Sequence, residues 1–118
     1  MADSTDIRLS ARASQVAERF KTEGWFDSAN EAAIFAAAYI LNTQFDSFDP
    51  LAYVVPDSNG SNYAYTSFDK DGTWDILLRT LYHTDMPRTC LRSLMVYGLE
   101  YIGNQIDESG KLSLVDYL

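Results

Sequence analysis

Apolar residues recur at helical spacing in four stretches of this 118-residue chain, with turn signals between them. After the short extended run Ile7-Arg8-Leu9-Ser10, residues Ala13, Val16, Ala17 and Phe20 draw the apolar stripe of a first helix. Ser10 is placed to cap its start, and Gly24 to end it in the left-handed conformation. Ser28 and Glu31 then form an S-x-x-E capping box ahead of a second helix. From Ala32 to Leu41 that helix is apolar almost all round, which predicts burial on most sides. Its five alanines allow neighbouring backbones close approach, so it is expected to be the central post of the fold or part of an oligomer seam.

Residues 42–72 lose this periodicity and carry Pro50, Pro56, Gly60 and Gly72, with Asp57-Ser58-Asn59-Gly60 as a turn signal. Brief strands at Leu51–Val55 and Tyr63–Phe68, paired with each other, are the expectation there. The aromatics Phe45, Phe48, Tyr53, Tyr63, Tyr65 and Phe68 predict that the connection packs onto the helices. A third helix is expected over Thr73–His83, with Trp74, Leu77, Leu78 and Leu81 inward. Asp85 suits the cap of a fourth helix and Pro87 its first turn. That helix runs to about Ile106 with Leu91, Leu94, Met95, Gly98, Leu99 and Ile102 on one side, and Gly110 breaks it. Leu112, Leu114, Val115 and Leu118 suggest a short closing segment that docks. The expected fold class is all-α: one compact four-helix domain over residues 1–118, with a short extended N-terminal segment and a long aromatic-rich loop between helices 2 and 3.

Composition supports a packed core, with 47% hydrophobic and 14% aromatic residues. No apolar run approaches the roughly 18 residues that cross a bilayer. The polar, acidic start Met1-Ala2-Asp3-Ser4-Thr5-Asp6 lacks the apolar centre of a secretory signal. A single cysteine, Cys90, fits a reducing compartment. A cytoplasmic protein with no membrane association is therefore expected. The formal net charge is −8, which opposes nucleic-acid binding unless the charge is segregated. It is segregated along the sequence: residues 25–75 hold eight acids against one base, Lys70, whereas the two ends are nearly neutral.

Catalytic and metal-binding patterns are missing from the sequence. One histidine, His83, and one cysteine cannot build a zinc cluster, and no glycine-rich phosphate loop is present. Asp69-Lys70-Asp71-Gly72 starts like a calcium loop but runs into a helix, so it is read as a turn. Asp107 and Glu108 are read as solvated helix-end charges. No catalytic residue, metal or cofactor is expected. The binding signals are cationic: Arg8, Arg12, Arg19 and Lys21 around the first helix, and Arg88 and Arg92 one turn apart on the fourth. Arginine suits phosphate because its planar fork donates two hydrogen bonds at once. The bland alternative is that these are solubilising charges paired with nearby acids.

Two resemblances bear on function. The segment Asp6-Ile7-Arg8-Leu9-Ser10, the helix after it and the turn from Gly24 to Ala32 resemble a ribbon-helix-helix module. That resemblance implies a transcriptional regulator whose paired strands, one from each copy of a dimer, read the major groove. A second resemblance covers nearly the whole chain. Ile7-Arg8-Leu9-Ser10, the alanine-rich second helix, the Asp57–Tyr63 turn, Asp71-Gly72-Thr73-Trp74-Asp75-Ile76-Leu77-Leu78-Arg79, Leu91–Ile102 and the tail Leu112–Leu118 resemble the DndE family of DNA phosphorothioation (sulfur-modification) systems. This implies a non-catalytic, self-associating subunit of a defence system. Such a subunit binds duplex DNA, nicked DNA by preference, beside other sulfur-modification subunits. Relatives use lysine-rich surfaces for DNA, whereas this chain offers mainly arginines among acids. A third expectation is an adaptor whose acidic middle faces a basic partner.

Overall fold

Ser10 and the alternating run before it set how the chain begins to fold. A computed structural model of the protein describes residue 3 and residues 5–110. In it, strand β1 (Asp6–Arg8) leads into helix α1 (Ala11–Thr22), followed by α2 (Ala29–Thr43), strand β2 (Asn62–Ala64), a single 3₁₀ turn at Tyr65–Ser67, α3 (Thr73–Tyr82) and α4 (Pro87–Ser109). The docking segment expected at 112–118 lies outside the described residues.

α1 buries the four side chains its spacing predicts, Ala13, Val16, Ala17 and Phe20. Ser10 Oγ accepts the Ala13 N–H at 3.1 Å, which satisfies one of the otherwise unpaired amides of the first turn. Gly24 and Gly110, at φ 82° and 70°, follow α1 and α4 as expected. Ser28 Oγ caps α2 through the Glu31 N–H at 3.2 Å, and the Glu31 carboxylate returns to the Asp27 N–H. α2 packs mainly against α4 and also against α1, with Ala32, Ala33, Ala36, Ala37 and Ile40 all buried. The more central post is α4, however, which buries residues on nearly every side, from Cys90 through Met95 and Leu99 to Ile106. α3 is held less deeply than its pattern predicts: only Leu78 is fully buried, and Leu81 is 37% exposed.

The chain is predominantly helical but not all-α, which corrects the sequence expectation. β1 and β2 pair antiparallel, Asp6 opposite Ala64, Ile7 opposite Tyr63 and Arg8 opposite Asn62. Ile7 is fully buried while Asp6 and Arg8 face outward, the two-residue alternation of a strand with one face on a core. The strand that pairs is therefore only the start of the expected Tyr63–Phe68 segment, and its partner is the N-terminal run. Leu51–Val55 is not a strand. Asp49 Oδ1 accepts the Leu51 N–H at 2.9 Å, and the Ala52 and Tyr53 amides bond back to the Asp49 carbonyl, winding this stretch into a turn. The aromatics of the 42–72 connection do pack inward: Phe48 stacks on Tyr97 at 4.0 Å, Tyr53 meets both edge-on, and Tyr65 is 5% exposed.

Many of the acids hold helix starts, where partial positive charge and free amides gather. Asp57 Oδ1 accepts the Ala11 N–H at 2.9 Å, so the middle of the chain caps α1. Asp69 is buried and accepts the Trp74 and Asp75 amides together with the Tyr65 hydroxyl, while Asp71 accepts the Thr73 amide. The cap of α4 is another correction. Met86, not Asp85, occupies the N-cap and contributes no side-chain bond. The carboxylate there is Asp3, which accepts the Arg88 and Thr89 amides at 2.7 and 3.1 Å and the Thr89 hydroxyl at 2.7 Å.

These bonds give stability a defined dependence on pH. Asp57 is held below the usual carboxylate range by the Asn59 and Ala11 amides, Asp71 by the Thr73 hydroxyl and amide, and Asp107 by hydrogen bonds from Arg19 and Arg12. A carboxyl with a lowered folded-state pKa contributes stability that is complete above its unfolded value, about 4, and is lost as pH falls through the folded value. The melting temperature is thus expected to stay level from neutrality to about pH 5 and to fall below about pH 4. Asp57→Asn and Asp107→Asn should each flatten that fall. A melting temperature unchanged at the lowest pH would overturn the assignment.

Candidate nucleic-acid interface

The six cationic residues singled out in the sequence separate into groups with different surroundings. Arg12 and Arg19, two turns apart on α1, both turn toward α4. Each forms a salt bridge to Asp107, Arg19 Nη1 at 2.8 Å, and Arg12 also bonds Gln15 Oε1 at 2.9 Å and reaches Asn104 Oδ1. Asp107 is therefore a paired group that ties α4 to α1 and not a free helix-end charge. One carboxylate serves two guanidinium groups here, half-exposed at 47%, so the pair contributes modestly to stability. Lys21 is exposed in the last turn of α1, where positive charge complements the carbonyl end of the helix.

Arg8 and Arg92 come together at the other half of α4. Strand alternation puts Arg8 on the outer face of the ribbon, where its Nη1 donates to the Gly60 carbonyl at 3.2 Å. Arg92 Nε donates to the Arg8 carbonyl at 2.7 Å and Nη2 to Ser58 Oγ at 2.9 Å. Among the described residues every partner of these two groups is neutral, and neither is in a salt bridge. Together with Thr5, Asp6, Ser58 and Asn62 they line an open cleft of about 480 Å³. Arg88, one turn before Arg92, lies with its guanidinium 4.5 Å above the Tyr65 ring, a cation–π contact.

The loop 57–62 builds this cleft. Gly60 N–H bonds the Leu9 carbonyl at 2.9 Å, Leu9 N–H bonds the Ser61 carbonyl at 3.0 Å, and Ser61 N–H bonds Ser14 Oγ at 2.7 Å. Ser58, Asn62, Thr5 and Asp6 were not recognised as site residues in the sequence. The one available signal was the Asp6-x-Arg8 alternation, because the pairing of Arg8 with Asn62 spans more than fifty residues.

The two ends of α1 and α4 thus do not merge their cations into one surface. Arg12 Nη2 lies 3.4 Å from where a side chain at Gly103 would begin, and Gly103 is eleven residues beyond Arg92 on α4. At 1.5 Å per residue the two groups are about 16 Å apart along that helix.

Cys90 is fully buried, and burial pushes its thiol up to about 12, the reverse of an activated nucleophile. His83 is exposed at the left-handed end of α3. Among the described residues no group of three or more His, Cys, Asp or Glu side chains is arranged to hold a metal, and no helix is long and apolar enough to cross a membrane. Comparison with protein-family models, curated proteins and solved structures returns no match for this chain.

Proposed function

We propose that the protein is a non-catalytic DNA-binding subunit of a DNA sulfur-modification system, holding the phosphate backbone of duplex DNA while partner subunits carry out the chemistry. The observation that carries this reading is the convergence of Arg8 and Arg92 on one open cleft, with neither in a salt bridge among the described residues. In a chain of net charge −8, this cleft sets two guanidinium groups against one lining carboxylate, Asp6, so its local charge is positive and suits an anion. The site of contact narrows accordingly to Arg8 and Arg92, with Arg88 beside them. Arg12 and Arg19 act mainly as the tie between α1 and α4. Backbone contact of this kind positions the protein without reading sequence. The surplus acid elsewhere makes binding weak for the isolated chain and favours an assembly, with other sulfur-modification subunits or further copies of the chain supplying additional positive surface.

Two alternative readings receive less support. A ribbon-helix-helix dimer needs β1 to pair with its copy, whereas β1 here pairs with β2 of the same chain. An acidic adaptor draws on the central carboxylates, yet Asp57, Asp69 and Asp71 cap helices and Asp75 pairs with Arg79.

Gel shift with nicked and intact duplex across a salt series, alone and with the partner subunits, tests the proposal. One phosphate held jointly by Arg8 and Arg92 predicts a slope of log K against log salt of about −1 for the isolated chain, falling toward zero in Arg8→Gln or Arg92→Gln. Arg12→Gln and Arg19→Gln should leave that slope nearly unchanged. Absence of binding at low salt, with and without partners, would exclude this function.

A further inference from the structure

A second hollow lies where α2 and α3 end, and it shares no residue with the Arg8–Arg92 cleft. Its volume is about 280 Å³, and Phe45, Asp46, Ser47, Phe48, Asp49 and Tyr82 line it. That is just under the roughly 300 Å³ at which sites for drug-sized ligands begin, so it suits a small group. Three of the six lining side chains are aromatic. The Phe45 and Tyr82 rings meet at 5.2 Å with their planes inclined by 40°, and Phe48 is held by its stacking on Tyr97. Phe45 is 40% exposed, which leaves apolar ring surface for a ligand to cover. Every charged side chain lining the hollow is acidic: Asp46 and Asp49 are there, and no Lys, Arg or His. Among the described residues Asp46 is in no salt bridge, and Asp49 Oδ1 accepts only the uncharged Leu51 amide.

The backbone adds charge of the same sign. α2 ends at Thr43, two residues before Phe45, with no basic side chain in its last turn, and Tyr82 is the last residue of α3. The carbonyl ends of two helices, each partly negative, thus adjoin the hollow. Arg79, the base in the last turn of α3, is already paired with Asp75. The Tyr82 hydroxyl is buried and has no hydrogen-bond partner among the described residues, so no donor offsets its lone pairs. We propose that this hollow binds a trimethylammonium group, the cation of choline-type small molecules and of trimethylated lysine. Aromatic faces attract such a diffuse positive charge, its methyl groups cover apolar ring surface, and Asp46 and Asp49 supply the longer-range attraction. Two carboxylates alone would suit a metal ion equally well, but aromatic walls give a metal no oxygen ligands. The inference stands apart from DNA binding and does not depend on it.

The test is an NMR titration of the full chain with choline chloride at constant ionic strength. Saturable shifts are expected at the amides of residues 45–49 and 82, with a dissociation constant on the order of millimolar for so small a ligand in an open site. The neutral isostere 3,3-dimethylbutan-1-ol, in which carbon replaces the ammonium nitrogen, should bind more weakly by about fivefold or more. Calcium chloride should not reproduce the shifts. Phe45→Leu keeps an apolar side chain but removes the ring, and should weaken choline by about fivefold. Because Asp46 is exposed, Asp46→Asn should leave the melting temperature unchanged while weakening choline by about threefold, the effect of one screened charge. A short peptide carrying trimethyllysine identifies the source of the group: tighter binding than choline assigns a modified protein, and equal or weaker binding assigns a free small molecule. No saturable shift with choline, equal affinity for the neutral isostere, tighter binding of calcium, or affinity indifferent to both Phe45→Leu and Asp46→Asn would each overturn the proposal.

Discussion

Gly60→Ala is expected to destabilise the protein by about 3 kcal/mol, the upper part of the range for overpacking a tight contact. For a chain of this size the melting temperature should fall by roughly 10 °C. A Cβ on Gly60 would begin 2.6 Å from the Leu9 carbonyl oxygen and nearer still to the Ser10 carbonyl and Ser14 Oγ. Two of these three obstacles are backbone atoms at the start of α1, where Ser10 and Asp57 already fix the chain. Retreat of the loop would break the Gly60–Leu9 and Ser61–Ser14 hydrogen bonds and pull Ser58 from Arg92. Thermal denaturation measures the loss. Adding Ser14→Ala should recover less than half of it, because only one obstacle is a side chain. A melting temperature within a couple of degrees of the unmodified protein would show that the loop is not pinned as described.

Gly98→Ala carries the second large effect, and its sign depends on two opposing terms. Alanine is favoured over glycine in a helix interior by about 1 kcal/mol. Against that, a Cβ at Gly98 would lie 2.6 Å from the Ala36 carbonyl oxygen and 2.9 Å from its carbon. Separating α2 from α4 at this contact disturbs the packing around the buried Ala36, Leu94 and Leu99, at about 3 kcal/mol. The net expectation is a loss of about 2 kcal/mol, read from denaturant midpoints. Ala36→Gly should not rescue it, since the obstruction is chiefly the Ala36 backbone. Full rescue, or a gain in stability from Gly98→Ala alone, would show that the helices have room to move apart.

These contacts also show which parts of the protein were legible in the sequence. The inward faces of α1 and α4 followed from spacing because helical periodicity is local: Val16 and Phe20, or Leu91 and Leu99, announce themselves within a few turns. The ribbon was not legible. β1 is three residues long with one buried side chain, Ile7, and its partner lies beyond two helices and a long loop. The α4 cap was misassigned for the same reason, since a local rule selects Asp85 and cannot detect Asp3 arriving from the other end of the chain. For the site, sequence supplied the arginines but not their surroundings. Arg88 and Arg92 share a helix face, yet one covers Tyr65 and the other reaches Arg8. Arg12 and Arg19 meet at Asp107, some ninety residues away, which no local pattern records.

The distant origin of the helix caps bears on how the chain folds as it is synthesised. Domains emerge from the ribosome N-terminus first, at about 5–20 residues per second. β1 lacks its paired strand and the Ala11 amide its capping carboxylate until residues 57–64 have appeared, and the Asp3 cap of α4 forms only after residue 89. Nascent chains halted before residue 64 should therefore be cleaved readily by protease near residue 10, and protection should arise only once α4 has been made. A mostly helical protein of this kind acquires its structure late and nearly all at once, more like a β-rich domain than a bundle that assembles helix by helix.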